Sequence, residues 1–494
     1  MSTPEVPPAT EPPARSLGSI AARGAVTTIT GQVARIAIQL GGLLILTRLL
    51  SIEDYGVFAM VTVVIGIGEV FRDFGLSTAA VQASTLSRFE RANLFWLNAA
   101  LGLALALVGF FAAPLVAFLY GDDRLLLVMQ ILASTFLLNG LSAQYRADLN
   151  RSLRFAALAT VDVTAAALGL GTAIALALLG FGYWSLVAQQ VVYALLALVL
   201  VAVLAGWFPG WVSRKTSIRP LVTYGSHLVV SQLITYVGRN ADTVVLGARL
   251  GAAPLGLYNR AFQFILLPLN QINAPATKVA VPVLSRLKDD KERFDSFILH
   301  GQTVLLHVLV AAFAFAAAVA EPLIVLVLTE KWAPLVPIFQ VLTVVGVARA
   351  ASYPTYWVAL SKGLTKVSMR LSIVSAPLLV LAAFVGSFWG VMAVAVSVAI
   401  VTLALWPIGL WIYGRHSDAP VKRLFVNGCI AILGYGACAL GAFLAMLPFG
   451  QLIEIARLGI GLGGYAITFA LVLLVWPTFR KSVISVIKSR SLLR

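Results

Sequence analysis

The sequence predicts an all-α, polytopic membrane protein of about 14 transmembrane helices: two parallel six-helix lobes around a central cavity, plus two C-terminal helices. Three observations predict it. Of 494 residues, 60% are hydrophobic and only 11% charged, where a soluble chain carries about a quarter charged residues. The apolar residues fall in blocks of roughly 20, the length that crosses a bilayer as a helix. Lys and Arg crowd into every second connector between those blocks.

Residues 1–20, beginning MSTPEVPPATEPPARSLGS, are Pro-rich and polar and read as a disordered tail. They lack the basic start and short apolar run of a cleavable signal peptide, which leaves targeting to the first membrane helix. Breaks at charged and Gly/Pro-rich stretches then set the spans. The N-lobe, 21–210, holds 23–47, 56–80, 93–119, 125–145, 156–179 and 183–206. The C-lobe, 211–416, holds 221–248, 255–284, 296–320, 334–360, 367–387 and 389–413. Spans 424–447 and 455–477 complete 417–480, and 481–494 forms a basic cytoplasmic tail. Cys429 and Cys438 have no metal-ligand spacing and read as core residues.

One set of connectors, with the two termini, holds 25 Lys and Arg. The alternate set holds five: Arg48, Arg124, Arg249, Lys331 and Arg457. The positive-inside rule places both termini in the cytoplasm, as an even span count requires. The net charge of +16 is therefore topology and not a nucleic-acid footprint.

An internal repeat follows. GAVTTITGQVARIAIQLGGLLILTRLLSIEDYGVF (24–58) aligns with GSHLVVSQLITYVGRNADTVVLGARLGAAPLGLY (225–258). In each, a Gly precedes an Arg-Leu pair (at Arg48 and Arg249) by 24 residues, and a short turn leads to Gly-Val-Phe or Gly-Leu-Tyr. Two unrelated span-turn-span units could produce the same spacing. Six helices separate the copies, so the halves share one orientation, a transporter pattern.

Ionisable residues inside spans are costly in lipid and belong against water or one another. In EVFRDFG (69–75), Glu69, Arg72 and Asp73 lie in the cytoplasmic half of span 2, on a face continued by Thr62, Gly66 and Ser77. That face lines a cavity, or Glu69 and Arg72 form an interfacial pair that snorkels. Arg239 and Asp242 sit mid-span, either neutralising each other or facing a ligand, and Arg35 lies at matching depth in the first repeat. LPLNQINAPATK (267–278) reads as a span broken by Pro268 and Pro275, carrying Arg260 before it and Lys278 at its end, where snorkelling is the alternative. Asp162 and Arg349 show no partner in the sequence. Tyr55, Tyr183 and Trp184, near the expected outer mouth, suit either sugar stacking or the interfacial aromatic belt.

TRLLSIEDYGVFAMV (47–61), FRDFGLSTAAVQ (71–82), GRNADTVVLGARLGAAPLGLYNRAF (238–262) and PVLSRL (282–287) resemble bacterial polysaccharide-biosynthesis flippases. Their superfamily also includes multidrug antiporters and the peptidoglycan-precursor flippase. The resemblance implies that oligosaccharide linked to undecaprenyl pyrophosphate is flipped across the cytoplasmic membrane by alternating access, for extracellular polysaccharide, capsule or O-antigen assembly. It implies cavity cations on the pyrophosphate, for which Arg35, Arg72, Arg239, Arg260 and Lys278 are the candidates. It implies ion coupling by Na+ or H+, for which Glu69, Asp73 and Asp242 are the candidates, and no other cofactor. The implied partners are the lipid-linked oligosaccharide, the lipid bilayer and the membrane's polysaccharide assembly machinery, with no nucleic acid. A cationic-drug antiporter would favour a net acidic cavity, whereas the in-span charges here have a cationic surplus. A membrane glycan polymerase or ligase would need an acid/base or metal constellation, but the outer connectors are short and His227, His300, His307 and His416 are scattered. The sequence therefore predicts a transporter and not an enzyme.

Overall fold

The computed structural model describes residues 14–72, 88–211, 233, 236, 238 and 240–488, with side chains from Thr27 onward. Asp73 and Arg239 lie outside the described residues, as does Ser77. Among those described, all regular structure is helical. The helices are α1 Ala14–Leu49, α2 Ile52–Arg72, α3 Arg88–Tyr120, α4 Arg124–Arg151, α5 Phe155–Leu178 and α6 Trp184–Ala205. They continue as α7 (240–250), α8 Ala252–Arg286, α9 Lys291–Ala318, the short α10 Ala320–Leu328, α11 Leu335–Ser361 and α12 Thr365–Gly386. Last come α13 Val391–His416, α14 Val421–Met446, α15 Glu454–Val475 and α16 Pro477–Lys488. Twelve of these are long and apolar enough to cross a membrane, so the protein is a polytopic helical membrane protein.

Local chemistry sets the breaks. Ser51 and Asp54 cap α2 reciprocally: the Asp54 carboxylate accepts from Ser51 N and Oγ at 2.8 and 2.7 Å, and Asp54 N donates to Ser51 Oγ at 3.1 Å. Gly251, at φ 84°, turns the chain between α7 and α8 in a conformation that other residues enter only with strain.

The helices outrun the predicted spans, because a formed helix extends at one hydrogen bond per residue into sequence that tolerates it. Helix α1 begins at Ala14, within the expected tail. Helices α3 and α4 take Arg88, Arg91, Arg146 and Arg151 out of the expected connectors. The expected basic tail continues as α16, anchored by Phe479, fully buried against His307, Tyr435 and Phe469. His307 bridges Tyr435 Oη at 2.8 Å and Ser482 Oγ at 2.7 Å, which ties α16 to α9 and α14. The expected break in span 8 is absent. Helix α8 runs unbroken for 35 residues through Pro268, Pro275 and Pro282. Each proline costs one main-chain hydrogen bond, and the remaining ladder carries the helix across.

The chain forms two compact units. The first comprises Met1–Leu49, Val64–Phe118 and Asp123–Leu233; the second comprises Leu50–Val63, Leu119–Asp122 and Ile234–Arg494. In the first, α1 packs on α5, and α6 packs on both α4 and α5. Phe95, Tyr145, Leu149, Val161 and Val201 form a core cluster there. Beside it Arg91 lies 4.1 Å from the Trp207 ring centre and donates to Asp148 at 3.1 Å.

The second unit brings the C-terminal ends of the two predicted repeat copies into contact. A Cβ on Gly56 would sit 1.8 Å from the Ala252 carbonyl oxygen, and one on Gly256 would sit 2.1 Å from the Ile52 carbonyl oxygen. Each glycine thus meets the residue four before its counterpart. Helices α2 and α8 cross backbone to backbone about a local two-fold relation, at equivalent positions of the two repeats. Around this crossing Tyr236 Oη donates to the Val63 carbonyl at 3.1 Å, and Lys331 Nζ donates to the Leu50 carbonyl at 2.8 Å.

Candidate functional site

In the first unit, three helices bring their charges to one place. Gly31 of α1 faces Ala159 of α5 so closely that a Cβ there would lie 2.8 Å from the Ala159 Cβ. One turn further along each helix, that approach sets Arg35 Nη1 4.0 Å from Asp162 Oδ2. From α4, Arg146 Nη2 donates to Asp162 Oδ1 at 2.7 Å. One carboxylate therefore holds two guanidinium groups and leaves a net charge of +1. The side chains keep 38%, 32% and 24% of their exposure for Arg35, Arg146 and Asp162, so none of the three is sealed between the helices.

A second charged group sits two turns back along α4. Gly68 of α2 lies against Phe136 of α4, with room only for hydrogen at that position. The contact places Glu69 where its Oε1 accepts from Asn139 Nδ2 at 2.9 Å, while Oε2 accepts from Arg72 Nε at 2.6 Å. Asn139 and Arg146 are seven residues apart on one helix, so they share a face about 10 Å apart. Helix α4 is thus the spine that organises these two charged groups.

In the second unit Asp242 of α7 accepts from Tyr258 Oη of α8 at 2.8 Å and from Thr243 N at 2.8 Å. Arg349 of α11 lies within electrostatic reach of Asp242 and stands 4.9 Å from the Phe262 ring centre. Arg260 is 3.5 Å from the Tyr55 ring centre, and its Nη1 donates to Gln263 Oε1 at 2.5 Å. Tyr55 also packs on Trp332 at 5.7 Å, so its ring is engaged by protein on more than one side. Tyr183 and Trp184 pack on each other at 5.3 Å. Lys278 is exposed on α8.

Several expectations need correction. Asp162 is not partnerless: it holds Arg35 and Arg146. Arg349 is not isolated either, since Phe262 and Asp242 surround it. Arg146, counted among connector cations, belongs to the charged group within the helices. Proximity to Arg151 and Arg154 disguised it. A lone acid in span 5 was the available signal that some cation on a neighbouring helix had to face it.

The sequence matches the family described as polysaccharide biosynthesis protein over residues 45–337. It is 25% identical over 383 residues to the lipopolysaccharide biosynthesis protein WzxC of Escherichia coli K12, covering 76% of each chain. It is 29% identical over 302 residues to the succinoglycan biosynthesis transport protein ExoT of Rhizobium meliloti, covering 60% of each. Among solved structures, the lipid II flippase MurJ in an inward closed conformation superposes with a TM-score of 0.65 at 16% identity, covering 90% of this chain and 98% of that one. An inward-facing multidrug resistance transporter of the MATE family reaches 0.61 at 15% identity, covering 81% and 98%. At those identities the likeness establishes the fold alone. The family match spans more than half of the chain, and with the helical membrane fold it places the protein in the polysaccharide biosynthesis protein family.

Proposed function

We propose that this protein flips undecaprenyl-pyrophosphate-linked oligosaccharide across the bacterial cytoplasmic membrane by alternating access, for assembly of an extracellular polysaccharide. The observation that carries the reading is the Arg35–Asp162–Arg146 group: two guanidinium forks held by one carboxylate, charged +1 and only partly buried in a membrane-embedded unit. A pyrophosphate is the kind of anion such forks bind in bidentate fashion. Asp162 keeps the arginines together and solvated when no ligand is present, and a phosphate oxygen replaces part of its role when one arrives. The glycan travels in water while the prenyl chain remains in lipid.

Arg72, Arg239, Arg260 and Lys278 remain candidates for further phosphate contacts. Arg72 is engaged by Glu69 and Arg260 by Tyr55 and Gln263, so each must release a partner before binding. Ion coupling, by Na+ or H+, falls to the carboxylates Glu69, Asp73 and Asp242. Both termini face the cytoplasm in this reading, and the membrane's polysaccharide assembly machinery receives the product.

Purified protein in liposomes is expected to move a pyrophosphate-linked glycan from one leaflet to the other and to leave a cationic dye in place. Dye movement without glycan movement would instead support an antiporter of the same fold. Reporter fusions at residue 1 and residue 494 are both expected to report cytoplasmic locations. An external reporter at either end would refute the orientation.

A further inference from the structure

We infer that one face of α8 is the glycan-binding surface of the transport path, an inference that rests on the function proposed above. Gln263, Asn270, Gln271 and Lys278 are all exposed. At 3.6 residues per turn they fall within an arc of about 100° on the helix, together with Arg260. The opposite side, with Tyr258, Phe262, Ile265 and Leu269, is buried. Among the described residues, Asn270, Gln271 and Lys278 make no hydrogen bond or ion pair with the protein. Hydrocarbon is an untenable surrounding for this face, because each unmatched polar group there costs several kcal/mol. The face therefore lines water.

The prolines add a second set of groups to the same side. Pro268, Pro275 and Pro282 recur every seven residues. Each lacks an N–H, which removes the usual main-chain partner of the carbonyl four residues earlier: Phe264, Gln271 and Lys278. Those carbonyls also recur every seven residues, so they rise along one side of α8 at intervals of about 10 Å, beside the amides. The result is a row of amide donors, one ammonium and three backbone carbonyls that lack their usual helical donor.

Sugar hydroxyls both donate and accept, and a row of mixed donors and acceptors suits them along its length. Helix α8 contains no Asp or Glu, which disfavours a cationic ligand. Its cations are too few, and Arg260 too engaged with Tyr55, for this face to be a diphosphate clamp. The chemistry selects a polyhydroxylated chain that is neutral or acidic, with an acidic sugar nearest Lys278.

The test uses full-length protein in lipid nanodiscs and two probes: bare undecaprenyl pyrophosphate, and undecaprenyl-pyrophosphate-linked oligosaccharide isolated from the producing cells. Binding is read by intrinsic tryptophan fluorescence. The Asn270→Leu/Gln271→Leu double variant is expected to bind the glycan-bearing lipid about tenfold more weakly, as the loss of two ordinary hydrogen bonds predicts, and to bind the bare lipid as wild type does. Asn270→Gln/Gln271→Asn, which keeps the amides, is expected to restore most of the affinity. Because these side chains are exposed and make no hydrogen bond with the described residues, the melting temperature should be unchanged in both. Wild-type affinity of the Leu variant for the glycan-bearing lipid would overturn the inference, and so would an equal loss for both probes. Wild-type protein that binds neither probe would instead defeat the proposed function itself.

Discussion

Gly256→Val is expected to abolish polysaccharide export and to leave little folded protein in the membrane, and Gly56→Val is expected to do the same. At either position the first added carbon would stand 1.8–2.1 Å from a backbone carbonyl oxygen of the other repeat. Backbone on both sides leaves nothing flexible to yield, so the overlap can be relieved only by separating α2 from α8. That separation would also strain the Lys331–Leu50 and Tyr236–Val63 hydrogen bonds and the Arg260–Tyr55 contact. Ordinary overpacking costs about 1–3 kcal/mol, and a backbone-to-backbone clash belongs at or above the top of that range. Gly41→Val is the matched control, since an added Cβ there meets nothing within 4 Å. Thermal melting of the purified variants and complementation of a null strain supply the readouts. If Gly256→Val melts and exports as Gly41→Val does, the crossing is not a structural requirement.

Arg146→Gln is expected to lower export at least tenfold while the amount of protein in the membrane stays normal. A charge-assisted hydrogen bond is worth about 1.5–3 kcal/mol, or roughly 10–100-fold in binding. With 32% of the side chain exposed, the lower end applies. Arg146→Lys keeps the charge and loses the planar fork, so it should fall between the two. Asp162→Leu is expected to behave differently. It leaves Arg35 and Arg146 facing each other without a counter-ion, and protein level as well as export should drop. Quantitative membrane blotting alongside polymer output separates these effects. Normal export from Arg146→Gln and Arg35→Gln together would remove both arginines from the substrate site.

The charged stretch of span 2 shows how far local reading reaches. The sequence offered a Glu69–Arg72 pair within EVFRDFG, and that pair is present at 2.6 Å. The involvement of Asn139 could not be read, because it depends on Gly68 meeting Phe136 across a helix interface. The α8 prolines show the reverse error. Proline chemistry is local and suggested a broken span, yet the helix is continuous, and the prolines free carbonyls along one side without ending it.

By itself the sequence determined the membrane class and the all-helical fold, because both are written in local composition: long runs of apolar residues with few charges. Only the tertiary structure decided which charges meet. The partners of Asp162 come from helices 16 and 127 residues away in the chain, at Arg146 and Arg35, and Gly56 and Gly256 touch across 200 residues. Such pairings depend on how closely two backbones approach, a property of helix packing that no local pattern of residues records.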